Sequence, residues 1–91
     1  MQHFDEKHED LFKATGNVIR RLRLKTGLSV NIFAYENDLQ KSMISRLENG
    51  KNEPKLASLW KIAEALGIKP SDFIKEVELE LSKDFKLLKN D

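Results

Sequence analysis

Residues 28–50 read LSVNIFAYENDLQKSMISRLENG, two runs of helical periodicity separated by Asn37 and Asp38. Leu28, Phe33, Ala34, Ile44 and Leu47 mark inward faces, and the polar pair between the runs marks a tight turn. Ser29 stands where the first of these helices would be capped. Ile32 occupies the position three residues later at which a Glu or Gln would complete a capping box. The second helix, from about Gln40 to Glu48, turns Ile44 and Leu47 inward and leaves Lys41, Ser42, Ser45 and Arg46 outside, before Gly50 closes it. A donor-rich row on a short helix is what contact with base edges in a major groove demands.

Upstream, GNVIRRLRLK at 16–25 predicts a helix with Ile19 and Leu22 inward, ended by Thr26 and Gly27. It carries Arg20, Arg21 and Arg23. Arg20 and Arg21 face either solvent or phosphate, and both are counted among the phosphate candidates. Arg23 has a partner available in Glu48 of RLENG. A bidentate pair between them would tie the first helix to the third and hold their orientation, whatever its net worth in stability. Residues 1–15 begin polar and acidic and acquire apolar spacing only at Leu11 and Phe12. They read as a flexible arm, frayed over 1–8, with 9–15 a turn or two leading into the first helix.

Downstream, Pro54 sets the approach to a fourth helix in which Leu56, Leu59, Ile62, Ala63 and Leu66 keep the 3.6 period, with Gly67 at its close. Trp60 lies off that stripe and is assigned to the edge of the core, with a second contact surface as the alternative. Pro70 opens a short fifth helix with Asp72 in its first turn, and Phe73 and Ile74 return to the core. The extension 75–91 supports two readings. Val77, Leu79 and Leu81 alternate as in a strand, whereas Ile74, Val77, Leu81, Phe85 and Leu88 recur as in a helix. Either way its apolar residues ask for a partner beyond the five-helix unit, which favours a dimer contact.

A chain of 91 residues is one domain, large enough for an adequate core and not a generous one. Its net charge is +1, but residues 1–15 sum to −2, 16–55 to +4 and 56–91 to −1. Positive charge collects around the paired helices, as contact with phosphate requires. Cysteine is absent, which excludes disulfides, cysteine-ligated zinc and thiol catalysis. No apolar run reaches membrane-spanning length and the acidic N-terminus is unlike a secretory signal, so a cytoplasmic protein is expected. His3 and His8, five apart with no third ligand at helical spacing, do not make a metal site. With the carboxylates scattered and no cysteine, no catalytic set is present; neither enzyme activity nor a cofactor is expected.

The segments IRRLRLKTGLS, FAYENDLQKSMISRLENGK and PKLASLWKIAEALGIKPSDFI together resemble the lambda-repressor-like, Cro-type or XRE family of helix-turn-helix domains over residues 16–74. The resemblance rests on Arg23, Gly27, Ser29, Ala34, Ile44, Ser45, Glu48, Gly50, Pro54, Leu59, Ala63, Leu66 and Gly67 in this order and spacing. It implies an all-α, compact five-helix domain that binds double-stranded DNA as a homodimer on a palindrome and controls transcription. By the same resemblance Gln40, Lys41, Ser42, Met43 and Arg46 fall where family members read bases, and Asn49, Lys51 and Asn52 where the following loop meets phosphate, with Ser29 a further phosphate candidate. Three features depart from the family pattern: Val30 replaces a phosphate-reaching Gln, Asn37 and Asp38 replace a turn leucine and glycine, and Lys55 and Lys69 replace small capping residues. The alternative function is an antitoxin or interaction module whose main partner is another protein, such as a toxin.

Overall fold

The computed structural model describes residues 5–88. Its regular structure there is five helices, α1 (Glu6–Thr26), α2 (Val30–Glu36), α3 (Lys41–Glu48), α4 (Leu56–Ala65) and α5 (Pro70–Glu80). α1 is the longest at 21 residues, and it begins ten residues before the helix expected from Gly16. The flexible arm read over 1–15 is therefore corrected to helix from Glu6 onward. Residues 1–4, and His3 with them, lie outside the described residues.

Two local causes start the helix early. Asp5 is an N-cap whose carboxylate accepts the His8 amide at 2.9 Å, and Glu6 and Glu9 set negative charge against the positive end of the helix dipole. The third cause is tertiary, because Phe12, Ala14 and Thr15 are buried. At the other end, Gly27 adopts the left-handed conformation (φ 78°) and its amide returns to the Leu24 carbonyl, a cap that a β-carbon would strain.

α2 is capped by Ser29, whose hydroxyl accepts the Ile32 amide at 3.2 Å. The turn to α3 uses both unusual residues. Asp38 takes a positive φ of 53°, tolerable for Asp and costly for a β-branched side chain. Half-buried Asn37 donates its side-chain amide to the Phe33 carbonyl at 2.9 Å, so its polarity is satisfied inside the turn. α4 and α5 have Lys55 and Lys69 at their N-caps without a side-chain cap bond, and Pro70 supplies the preset first turn of α5.

The core has two parts. Val18 and Ile19 of α1 pack with Leu47, Ile62, Phe73 and Val77 in one, while Phe33, Ala34 and Ile44 join α2 to α3 in the other. Leu39, Met43 and Leu66 touch both and make them continuous. Gly16 allows the closest approach: a β-carbon there would collide with the carbonyl oxygens of Leu47 and Glu48. α1 thus lies directly on the end of α3.

The open choice at 75–91 is settled over its first part. α5 continues to Glu80, and residues 81–88 follow without a strand. Phe73, Val77 and Leu81 recur every four residues toward the core, Val77 is buried, and Leu79, the residue that distinguished the strand pattern, is 70% exposed. Packing against α1 selects the helical period.

Candidate nucleic-acid interface

A buried ion pair joins core packing in fixing the position of α3. Arg23 Nε donates to Glu48 Oε2 at 2.6 Å and Nη2 to Oε1 at 2.9 Å, the fork geometry that suits guanidinium to carboxylate. The remaining Nη1 donates to the Leu28 carbonyl at 2.7 Å. One guanidinium therefore ties α1 to the end of α3 and to the residue before the α2 cap. The Arg23 and Glu48 side chains are 8% and 6% exposed. Hydrogen bonding to Glu48 raises the Arg23 pKa against the opposing effect of burial, so Arg23 stays charged at any physiological pH.

With the inner side of α3 anchored by Ile44 and Leu47, its outer side carries Lys41, Ser42 and Arg46, all exposed, with Ser45 half-buried. Gln40 is the N-cap but makes no cap hydrogen bond with its side chain. The first-turn amides of α3 have no carbonyl of their own helix to meet, and their dipole end attracts anions. Gln40, Ser42, Met43, Arg46, Asn52 and Lys55 line one open groove between α3 and the start of α4, together with the acidic Glu53. Asn49, Lys51 and Asn52 of the following loop are exposed.

The other expected residues divide. Met43 is half-buried and packs on both parts of the core, so its thioether is shared with the interior, unlike the exposed members of the row. Ser29 is exposed with its oxygen engaged in the cap, which leaves its hydroxyl proton to donate. Arg20 is exposed and takes part in no ion pair among the described residues. Arg21 has protein partners: its Nη2 donates to Glu76 Oε1 at 3.0 Å and its Nε lies 3.7 Å from Glu80 Oε1. Two carboxylates engage that guanidinium at the seam between α1 and α5.

Lys55 escaped the sequence reading as a contact. Its signal was present, since a lysine at an N-cap serves the helix poorly, and the groove that it lines with Arg46 shows where its charge is presented. Among the described residues no cluster of His, Cys, Asp or Glu could hold a metal ion, and His8 Nδ1 lies 2.8 Å from the Asp5 carboxylate at the α1 cap. Among the same residues no helix is long and apolar enough to cross a membrane.

The helix-turn-helix family model matches residues 19–73. The chain is 41% identical over 66 residues to the control protein C.MunI of a Mycoplasma species, which covers 71% of this chain and 89% of that one. Among solved structures it is similar to the restriction-modification controller C.AhdI of Aeromonas hydrophila, with a TM-score of 0.63 and 31% identity over 68% of this chain and 94% of that one. The controller C.Esp1396I, crystallised as a tetramer on its natural 35 base-pair operator, gives a TM-score of 0.69 and 26% identity over 77% and 92% of the two chains. The Arg23 to Glu48 tie, the donor row of α3 and this match to the family over most of the domain lead to one conclusion: the chain belongs to the helix-turn-helix family of DNA-binding transcriptional regulators, which are not enzymes.

Proposed function

We propose that the protein acts as a homodimer on a palindromic operator and regulates the genes of a restriction-modification system; the last part is supported by its likeness to C.AhdI, a restriction-modification controller protein, and to C.MunI, a control protein. The observation that carries the operator reading is the exposed row Gln40, Lys41, Ser42 and Arg46 on a helix held from behind by Arg23 and Glu48. In this reading Lys41 donates to guanine O6 and N7, Ser42 donates or accepts beside it, and Gln40 and Arg46 meet adenine, a second base or phosphate. Met43 offers at most its outer edge to a thymine methyl. Asn49, Lys51, Asn52, Arg20 and Ser29 hold the backbone, with Lys55 added from the groove.

The dimer reading rests on a separate surface. Leu56, Trp60 and Ile74 are 70%, 51% and 42% exposed, and they line an apolar groove of about 410 Å³ between α4 and α5. A contiguous apolar patch on a small domain marks an interface, and a twofold mate covers the same patch on both copies. Trp60→Glu should give a folded monomer that binds a half-site weakly and a full palindrome hardly better, measured by sedimentation and by electrophoretic shift on both duplexes. A Trp60→Glu protein that stays dimeric at micromolar concentration would move the interface elsewhere. If the unaltered chain shifts no duplex selected from a random pool yet binds the product of a neighbouring gene, a partner protein such as a toxin takes the place of the operator.

A further inference from the structure

A second apolar groove, of about 310 Å³, lies between the N-terminal part of α1 and α5. Leu11, Phe12, Pro54, Leu59, Ile74 and Leu81 form its walls, with the exposed carboxylates of Glu53 and Glu78 among its lining residues. Leu59 and Ile74 also line the α4–α5 groove, so the two grooves are neighbours. Among the described residues of the tail, none from 82 to 88 lines this groove. The tail leaves α5 at Leu81, and half-buried Phe85 sits with Asp10, Ala14 and Asn17, on the flank of α1 opposite Leu11, Phe12 and Thr15 by the 100° step of the helix.

Beyond Phe85 the tail presents Leu87 and Leu88, which are 37% and 81% exposed. Around them Lys83 and Lys86 are exposed, and neither these lysines nor Glu53 or Glu78 make an ion pair among the described residues. The groove has two acidic groups, and the apolar segment has two basic groups and exposed Asp84, a net charge of +1; the two are complementary in sign, and Phe85 sits on the other flank of α1 from the groove. We infer that in the dimer the two copies exchange tails, Leu87 and Leu88 of each entering the groove of the other between Leu11, Pro54 and Leu81, with Lys83 and Lys86 meeting Glu53 and Glu78. The exchange rests on the homodimer reading and adds a specific contact to it. A twofold axis makes both insertions equivalent.

The absence of native cysteine gives a clean test on the full chain. Tagged Leu88→Cys chain is mixed with untagged Glu53→Cys chain at micromolar concentration and oxidised mildly, with Lys25→Cys in place of Leu88→Cys as background. A reducible tagged-untagged species well above background is expected. A bridge that forms only within one chain, in the Glu53→Cys/Leu88→Cys double variant, would put the tail in its own groove and overturn the exchange. No bridge in either sample, with sedimentation still reporting a dimer, would overturn it while leaving the dimer reading intact; a chain monomeric by sedimentation would remove both. As a second measurement, Glu53→Lys with Glu78→Lys should raise the dimer Kd about two- to five-fold per pair. Adding Lys83→Glu and Lys86→Glu to the same chain should restore it. Failure of that restoration would also count against the exchange.

Discussion

At the scale of single residues, Arg23 and Lys41 illustrate two different uses of positive charge. Arg23 is withdrawn from water and spends its donors on Glu48 and the Leu28 carbonyl, so cutting either partner to alanine strands the other charge. Arg23→Ala or Glu48→Ala should cost about 3 to 5 kcal/mol in urea unfolding. The double variant should lose less than the sum of the two. A loss under about 1 kcal/mol for either single change would mean that water reaches the pair. Lys41 is exposed on the outer row, and in the proposed function its worth lies in discrimination. Lys41→Ala should cost about 1 to 3 kcal/mol on the operator and much less on a duplex altered at its contacted pair. Lys51→Ala should weaken all duplexes alike and lower the salt slope by about one unit. Titrations of both variants against operator and scrambled duplex at several salt concentrations separate these roles, and equal losses for Lys41→Ala on the two duplexes would make it a phosphate contact.

At the scale of elements, α1 is the part whose sequence says least about its length and whose packing says most. Gly16 stands mid-helix, where Ala would gain up to about 1 kcal/mol of helix propensity. The atoms that its β-carbon would strike are backbone carbonyls at the end of α3, which do not swing aside as a flexible side chain does. Overpacking of this kind costs about 1 to 3 kcal/mol, so Gly16→Ala should be a net loss in thermal unfolding and should weaken operator binding by displacing α3. A more stable Gly16→Ala protein would show that α1 slides freely. The start of α1 carries a pH signature. Hydrogen bonding from His8 lowers the Asp5 pKa below its ordinary 3.8. A carboxylate with a depressed folded pKa contributes its full stabilisation above the unfolded value and loses it as pH falls through the folded one. The protection factor of the His8 amide, which the Asp5 carboxylate accepts, should therefore hold above about pH 4 and fall below it, while those of the rest of α1 are unaffected. A protection factor for His8 that does not change across that range would deny Asp5 its capping role.

At the scale of the whole molecule, the boundary between core and extension falls later than Lys75. Val77 is buried and Glu76 and Glu80 receive Arg21, so a chain ending at Lys75 loses a core side chain worth about 1.5 to 3 kcal/mol and both partners of a guanidinium. A domain of this size has little reserve. Truncation after Lys75 should lower the melting temperature by several degrees. Truncation after Leu81 should leave the fold intact by circular dichroism and weaken only self-association. If both truncations melt alike, the α1–α5 seam contributes nothing to the fold.

Much of this architecture was legible in the sequence because the deciding signals are local. Ser29 and Pro70 mark helix starts, Gly27 a helix end, and Asn37 and Asp38 a turn, each through backbone or capping chemistry that acts over a few residues; the 3.6 period of α4 marks its buried face. The Arg23 to Glu48 tie was legible for a different reason, since of the three arginines in that helix Arg23 had a partner available in the glutamate that closes the next helix but one. What needed tertiary structure turns on contacts distant in sequence. Arg20 and Arg21 are neighbours with the same chemistry, and only the approach of α5, 55 residues away, commits one to Glu76 and leaves the other exposed. The polar stretch before Gly16 looks unhelical until Phe12 finds the core. The extension satisfies the strand and helix periods equally until α1 offers a surface that Val77 can reach and Leu79 cannot. A periodic pattern states which residues can share a face, and the energy that chooses among such patterns comes from the surface on the other side.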